Sequence, residues 1–191
     1  TESWNSTSWT EVNDLNTARG FIGVSGTDNT SALAYGGGTG PTVFTAATES
    51  WNGTSWTEVN DLNTARQVAG GAGTQTSTLT AGGLNPGFSI TGVTESWNGT
   101  SWTEVNDLNT SRVGVASAGS DNTSVIAFGG YSTDYTGVTE EWDGVSWTEV
   151  ADLNTSRGYL SRAGTTTSAL GFGGITPASP AATAATEEWA G

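Results

Sequence analysis

Short runs in which apolar and polar residues alternate, each closed by Gly, Asn or Asp, fill this chain from end to end. In Thr48-Glu-Ser-Trp-Asn-Gly-Thr-Ser-Trp-Thr-Glu-Val59 the alternation has a period of two, the mark of half-buried strands. No stretch combines helical periodicity with good helix formers, so the chain is expected to be all-β. Four kinds of strand are predicted, in a fixed order. A small, Gly-rich strand A covers 20–26, 67–73, 113–119 and 158–164. An apolar strand B covers 31–35, 77–81, 124–128 and 168–172, each ending in a Gly pair. Strand C is Thr-Glu-x-Trp, and strand D is Ser-Trp-Thr-Glu-Val or a close variant.

The pattern repeats. Nearly the same nineteen residues, from Thr-Glu to Ala/Ser-Arg, begin at Thr1, Thr48, Thr94 and Thr139, and a truncated copy begins at Thr186. The spacings of 47, 46, 45 and 47 residues suit a propeller, solenoid or array. Between strands C and D, Asn52-Gly53, Asn98-Gly99 and Asp143-Gly144 signal a two-residue type I′ hairpin, with Asn5-Ser6 a weaker version. That turn pairs Trp51 with Thr54 and Glu49 with Trp56, and makes Trp51 and Trp56 diagonal neighbours on one face. All nine Trp residues lie in these hairpins. Each ring can bury roughly 150–250 Å², about 4–6 kcal/mol at ~25 cal/mol/Å². One hairpin cannot cover both of its rings, so the next unit is expected to cover them.

Four-stranded units of this period suit propeller blades. Glycine weakens a strand unless another backbone must come close, the condition an innermost strand crowded around an axis would meet. The four units 1–47, 48–93, 94–138 and 139–185, with the partial unit 186–191, are therefore expected to form one four-bladed propeller domain. Strands from both termini are expected to close it, the D strand around Trp9 joining the A, B and C strands of residues 158–190. Thr1–Trp4 and Thr186–Trp189 then compete for one C position. Displacement of one end, a cut from a longer array, and pairing with another protomer are the three resolutions. The chain opens in mid-pattern on a strand, so Thr1 is read as a processed end or an internal point of something longer.

A Gly doublet closing the second strand, an aromatic residue in the third, a Trp in the fourth and an Arg before the next inner strand together resemble the kelch repeat. The resemblance runs through every unit and implies a kelch-like β-propeller. Its departure is the five-residue separation of Trp51 and Trp56, closer than the usual kelch spacing. Copper-radical oxidases share the kelch-like fold, and the resemblance implies that they need His ligands; this chain has no His.

Composition narrows the partners. There is no Lys, His or Cys, and the net charge is −14. Such a charge repels phosphate backbones and anionic lipid surfaces, so neither nucleic acid nor membrane is an expected partner. No run of about 18 apolar residues occurs, so no membrane insertion is expected. Without His, Cys or Lys, most nucleophilic and transition-metal chemistry is excluded. Paired carboxylates could still cleave a glycoside, but the carboxylates here are copies of a repeat, which points to a structural role.

Candidate functional residues fall into four sets. The Trp pairs form either a sugar-stacking platform or the packing between blades. Glu2, Glu49, Glu95, Glu140 and Glu187 are expected to pair with Arg66 and its counterparts. Asp14, Asp61, Asp107 and Asp152, in the connection from D to A, are candidate ligands for a hard cation such as Ca²⁺, or ordinary turn residues. The loops from B to C diverge between units and carry Phe44, Phe88, Tyr131, Asp134 and Tyr135 with all four prolines, including Pro177 and Pro180. Divergent loops on a uniform scaffold suit recognition, or simple drift. Arg162 is the one basic residue outside the regular column; it faces the channel to hold an anion or neutralises nearby acid. The expected function is a non-catalytic binding or structural propeller, extracellular or virion-associated, that engages protein or glycan. It could act as a homo-oligomer or as part of a longer array. The alternative is a carbohydrate-active propeller, glycosidase or lectin.

Overall fold

The structure, a computed structural model, describes residues 1–178 and 182–191. Pro180, one of the loop prolines noted above, lies outside the described residues. An amino-terminal hairpin, β1 (Glu2–Trp4) and β2 (Trp9–Glu11), is followed by four blades. Blade 1 contains β3 (Gly23–Asp28), β4 (Ser31–Tyr35), a small loop hairpin of β5 (Gly38–Gly40) and β6 (Val43–Phe44), then β7 (Thr48–Trp51) and β8 (Trp56–Val59). Blade 2 contains β9 (Gly70–Gly73), β10 (Thr78–Ala81), β11 (Thr94–Trp97) and β12 (Trp102–Val105). Blade 3 contains β13 (Ala116–Asp121), β14 (Ser124–Phe128), β15 (Thr139–Trp142) and β16 (Trp147–Glu149). Blade 4 contains β17 (Ser161–Thr165), β18 (Ser168–Phe172) and β19 (Thr186–Ala190). Every pairing is antiparallel, and three blades have four strands. The molecule is an all-β, four-bladed β-propeller.

The Trp hairpin differs from the expected one. Trp51 pairs with Trp56, Ser50 with Thr57 and Glu49 with Glu58, so the loop has four residues, Asn52 to Ser55. The cause is the Asn side chain: Asn52 Oδ1 accepts the N–H groups of Thr54 and Ser55, both at 2.9 Å. This side-chain cap gives the backbone an alternative to the tight two-residue turn. Gly53 then takes φ 88°, and Ser6 is forced to 74° at the matching position. The two indoles face each other directly, with centroids 5.3 Å apart.

The Trp pairs of blades 2 and 3 lie against the blade before them. Trp97 and Trp102 of blade 2 form one core with Leu33, Tyr35 and Leu62 of blade 1, and Trp142 and Trp147 of blade 3 do the same with Leu79, Ala81 and Leu108 of blade 2. Those four indoles are buried, which gives them the packing role; Trp4 and Trp9 are 46% and 65% exposed. Each indole N–H that enters the interface finds an acceptor, as a buried donor must. Trp97 donates to the Gln75 carbonyl at 2.9 Å, and Trp102 donates to Thr48 Oγ1 at 3.1 Å.

Arg and Glu link consecutive repeats. Arg19 meets Glu49, Arg66 meets Glu95, Arg112 meets Glu140 and Arg157 meets Glu187, with every guanidinium side chain at 0–1% exposure. Among the described residues Glu2 has no Arg partner.

Two further expectations are corrected. The inner strands begin about three residues later than predicted, because Phe21, Val68, Gly114 and Tyr159 have φ of 56°, 56°, 66° and 55°, which no strand can accommodate. Nor do strands from both termini complete the last blade. Trp9 pairs with Trp4 in a separate two-stranded sheet, and among the described residues blade 4 has three strands. A four-residue loop joins β1 to β2, whereas pairing β2 with β19 would close nearly the whole chain, at a larger entropic cost. Consecutive inner strands β3, β9, β13 and β17 pack against one another around a channel.

Candidate binding surface at the channel mouth

One mouth of the channel is built from the left-handed column and the divergent loops. The backbones of that column form a staircase: Val68 N–H donates to the Phe21 carbonyl at 3.1 Å, Gly114 to Val68 at 3.1 Å, and Tyr159 to Gly114 at 2.8 Å. A left-handed residue turns its N–H and C=O out of its own sheet, which frees them to bridge blades. Phe21, Val68, Gly114 and Tyr159, with Ile22, Ala69, Val115 and Leu160, line a cavity of about 230 Å³. The residue before each column member bridges to the start of a B-to-C loop, as in Gly20 with Gly38 and Val113 with Tyr131. The loops therefore rise around the mouth.

The loop aromatics predicted from sequence come together in pairs. Phe44 and Phe88, from neighbouring blades, meet edge to face with centroids 5.1 Å apart. Tyr131 and Tyr135, within one loop, meet at 5.2 Å. Asp134 holds that loop by accepting the Tyr135 N–H at 2.7 Å. Burial pushes the Tyr159 phenol above its ordinary pKa, with further contributions from Tyr135 and Tyr131 nearby. Phe21, Phe88 and Tyr159 are 71%, 54% and 47% exposed, unlike the buried indoles and the fully buried Tyr35 of the core. The sequence pattern presents Phe21 and Tyr159 only as strand residues. The signal that could have found them is a bulky side chain in a column where Gly114 stands, flanked by divergent loops.

Arg162 lies farther down the channel, where β3, β9, β13 and β17 surround a cavity of about 290 Å³. Its Nε donates to the Ser117 carbonyl and its Nη2 to the Gly71 carbonyl, both at 2.8 Å, so it ties three inner strands together. Among the described residues it forms no ion pair.

The four connection carboxylates stay with their own repeats. Asp61, Asp107 and Asp152 accept the N–H of Thr48, Thr94 and Thr139 at 3.0, 3.1 and 3.0 Å, and Asp14 pairs with the amino group of Thr1. Among the described residues no three His, Cys, Asp or Glu side chains gather as a metal site. Each Asp thus tethers the start of a C strand to the connection thirteen residues later. No helix among the described residues is long and apolar enough to cross a membrane. In comparisons with known proteins, the chain matches no family model and no curated sequence.

Proposed function

We propose that this chain is a non-catalytic binding propeller that engages a protein or glycan at the aromatic channel mouth. The observation that carries this reading is the contrast in aromatic exposure. The scaffold buries Trp97, Trp102, Trp142 and Trp147 between blades, yet Phe21 and Tyr159 stand open around one cavity and Phe88 is exposed on one of the divergent loops. Aromatic side chains suit recognition because they offer large contact areas with few rotors to order. Kinship with kelch repeats belongs to the same reading. It is supported by the Gly doublets, all at positive φ, and by the Arg of each unit in its buried pair with the next. Display outside a cell or on a virus particle is supported by the acidic, Lys-free composition.

Glycan and protein arrays probed with the wild-type chain and with Phe88→Ala and Tyr159→Ala test this reading. Captured ligands are expected to lose at least about tenfold in affinity with either variant, since hot-spot aromatics carry ~2 kcal/mol or more. Ligand capture indifferent to both variants would refute the site. Turnover of a bound glycan would move the protein into the carbohydrate-active class.

A further inference from the structure

Arg162 differs from every other arginine of the chain. Arg19, Arg66, Arg112 and Arg157 are each buried against a carboxylate of the next repeat. Arg162 is exposed to the channel and, among the described residues, meets no carboxylate. It stands in a column of the inner strands whose other members are Val24, Gly71 and Ser117. Those side chains are short, so a single long cationic one occupies this part of the channel. Apart from Arg162, the residues lining the cavity of about 290 Å³ are Val, Ser, Ala and Gly alone. A chain of net charge −14 thus places one uncompensated positive charge in an uncharged cavity.

The two hydrogen bonds of the guanidinium fix its plane. Nε and Nη2 lie on one edge of the planar fork, and their 2.8 Å bonds to the Ser117 and Gly71 carbonyls use that edge. The other edge, formed by Nη1 and the second N–H of Nη2, has no acceptor among the described residues. Two neutral carbonyls occupy donors without offsetting the charge of the ion. Parallel N–H groups at this spacing fit a carboxylate, whose two oxygens accept one bond each. Ser117 supplies a second, independent observation. Its side chain is buried, and its hydroxyl has no hydrogen-bond partner, although its own carbonyl holds Nε of Arg162. Buried hydroxyls normally find a partner. Here a donor without an acceptor stands next to a cation without an anion.

We propose that this part of the channel is a binding site for a carboxylate, held end-on by Nη1 and Nη2 of Arg162 with Ser117 beside it. The repulsion of a −14 chain acts hardest on multiply charged anions, so the ligand class is a singly charged carboxylate rather than a phosphate. The two bonds to the channel wall hold the fork in place beforehand, which leaves little side-chain freedom to lose on binding. The cavity is lined by residues within the inner strands, whereas Phe21 and Tyr159 stand before the first residues of β3 and β17. The site is therefore separate from the aromatic mouth.

Saturation-transfer NMR with acetate in chloride-free buffer tests the site. The wild-type chain should bind acetate with a Kd on the order of 1–10 mM, the strength of a single charge-assisted fork in an open cavity. Arg162→Gln removes the charge and should weaken acetate at least about tenfold. Val24→Glu keeps Arg162 and brings an internal carboxylate into the same cavity from an exposed position, so it should compete with acetate and weaken it too. Both variants should keep the wild-type circular dichroism spectrum. N-acetylglycine, which carries the carboxylate of a chain end, separates the two sources of the ligand. Tighter binding than acetate assigns the site to the end of a partner chain, and equal binding assigns it to a free small acid. A wild-type chain that binds neither probe at about 20 mM overturns the proposal. So does a folded Arg162→Gln that binds acetate as the wild type does. Should Arg162→Gln not fold, Val24→Glu decides, and undiminished acetate binding by that variant overturns the proposal.

Discussion

Arg112 and Glu140, from consecutive repeats, meet at 2.8 Å with both side chains fully buried. The guanidinium also donates to the Gly129 carbonyl at 2.7 Å, and the carboxylate accepts N–H groups from Asn109 and Thr110. Every polar atom of the carboxylate is thus satisfied, the condition under which a buried ion pair is tolerated. Burial lowers the proton affinity of the Arg112 guanidinium, and Glu140 opposes that effect.

Glu140→Gln should therefore cost about 3–5 kcal/mol, because it strands a buried charge. Glu104→Gln, at an exposed strand position, should stay within about 0.5 kcal/mol. Urea titrations of both variants measure the difference.

Stability should fall in acid. Burial alone would raise the Glu49 carboxyl, but the Asn16 N–H and Arg19 outweigh it and hold the group below its usual range. Glu187 is held low in the same way, by Asn154 and Arg157 against its own burial. A carboxyl whose folded pKa is depressed stabilises the fold above its unfolded value, about 4.3 for Glu. That stabilisation is lost as pH falls through the lowered folded value. The melting temperature should be level near neutrality and drop below about pH 4. Glu49→Gln should shrink the drop.

The left-handed column offers a test of strain. Val68 is β-branched at φ 56°, a conformation that costs an L-residue roughly 1–2 kcal/mol. Val68→Gly should recover part of this, offset by the flexibility glycine adds to the unfolded chain, about 0.5–1 kcal/mol. Its melting temperature should match or exceed that of the wild type. Gly114→Val should do the reverse and lower it, since a Cβ there would stand 2.8 Å from the Tyr159 ring.

Gly71 and Tyr35 make a second contrasting pair. A Cβ on Gly71 would lie 1.9 Å from Tyr35 Oη in a fully buried site, so Gly71→Ala should cost about 1–3 kcal/mol by overpacking. The Tyr35 hydroxyl, with Thr80 and Ser25 near it, makes no hydrogen bond of good geometry, and burial pushes its pKa up to about 12. Tyr35→Phe should be neutral or should stabilise by up to about 1 kcal/mol, since it removes a buried group without a partner. Thermal melts of the two variants should move in opposite directions.

Much of the architecture was legible in the residues because strand alternation, Gly doublets and a fixed period are local signals. The order of strands in a blade, the number of blades and the burial of the tryptophans between neighbours all follow from them. The Arg–Glu pairs were also foreseeable, since only a charged partner makes a buried guanidinium tolerable. Tertiary structure decided what depends on competing local choices. The Asn52 side chain overrode the two-residue turn that Asn-Gly signals, because it satisfies two backbone donors that such a turn leaves free. Backbone hydrogen bonds between blades put Phe21, Val68 and Tyr159 in a conformation their side chains disfavour, and so turned a predicted strand into the rim of a cavity. Strand pairing at the ends was likewise beyond the sequence. β1 and β19 carry nearly the same residues, and the short loop to β2, rather than any side chain, decides which one it joins.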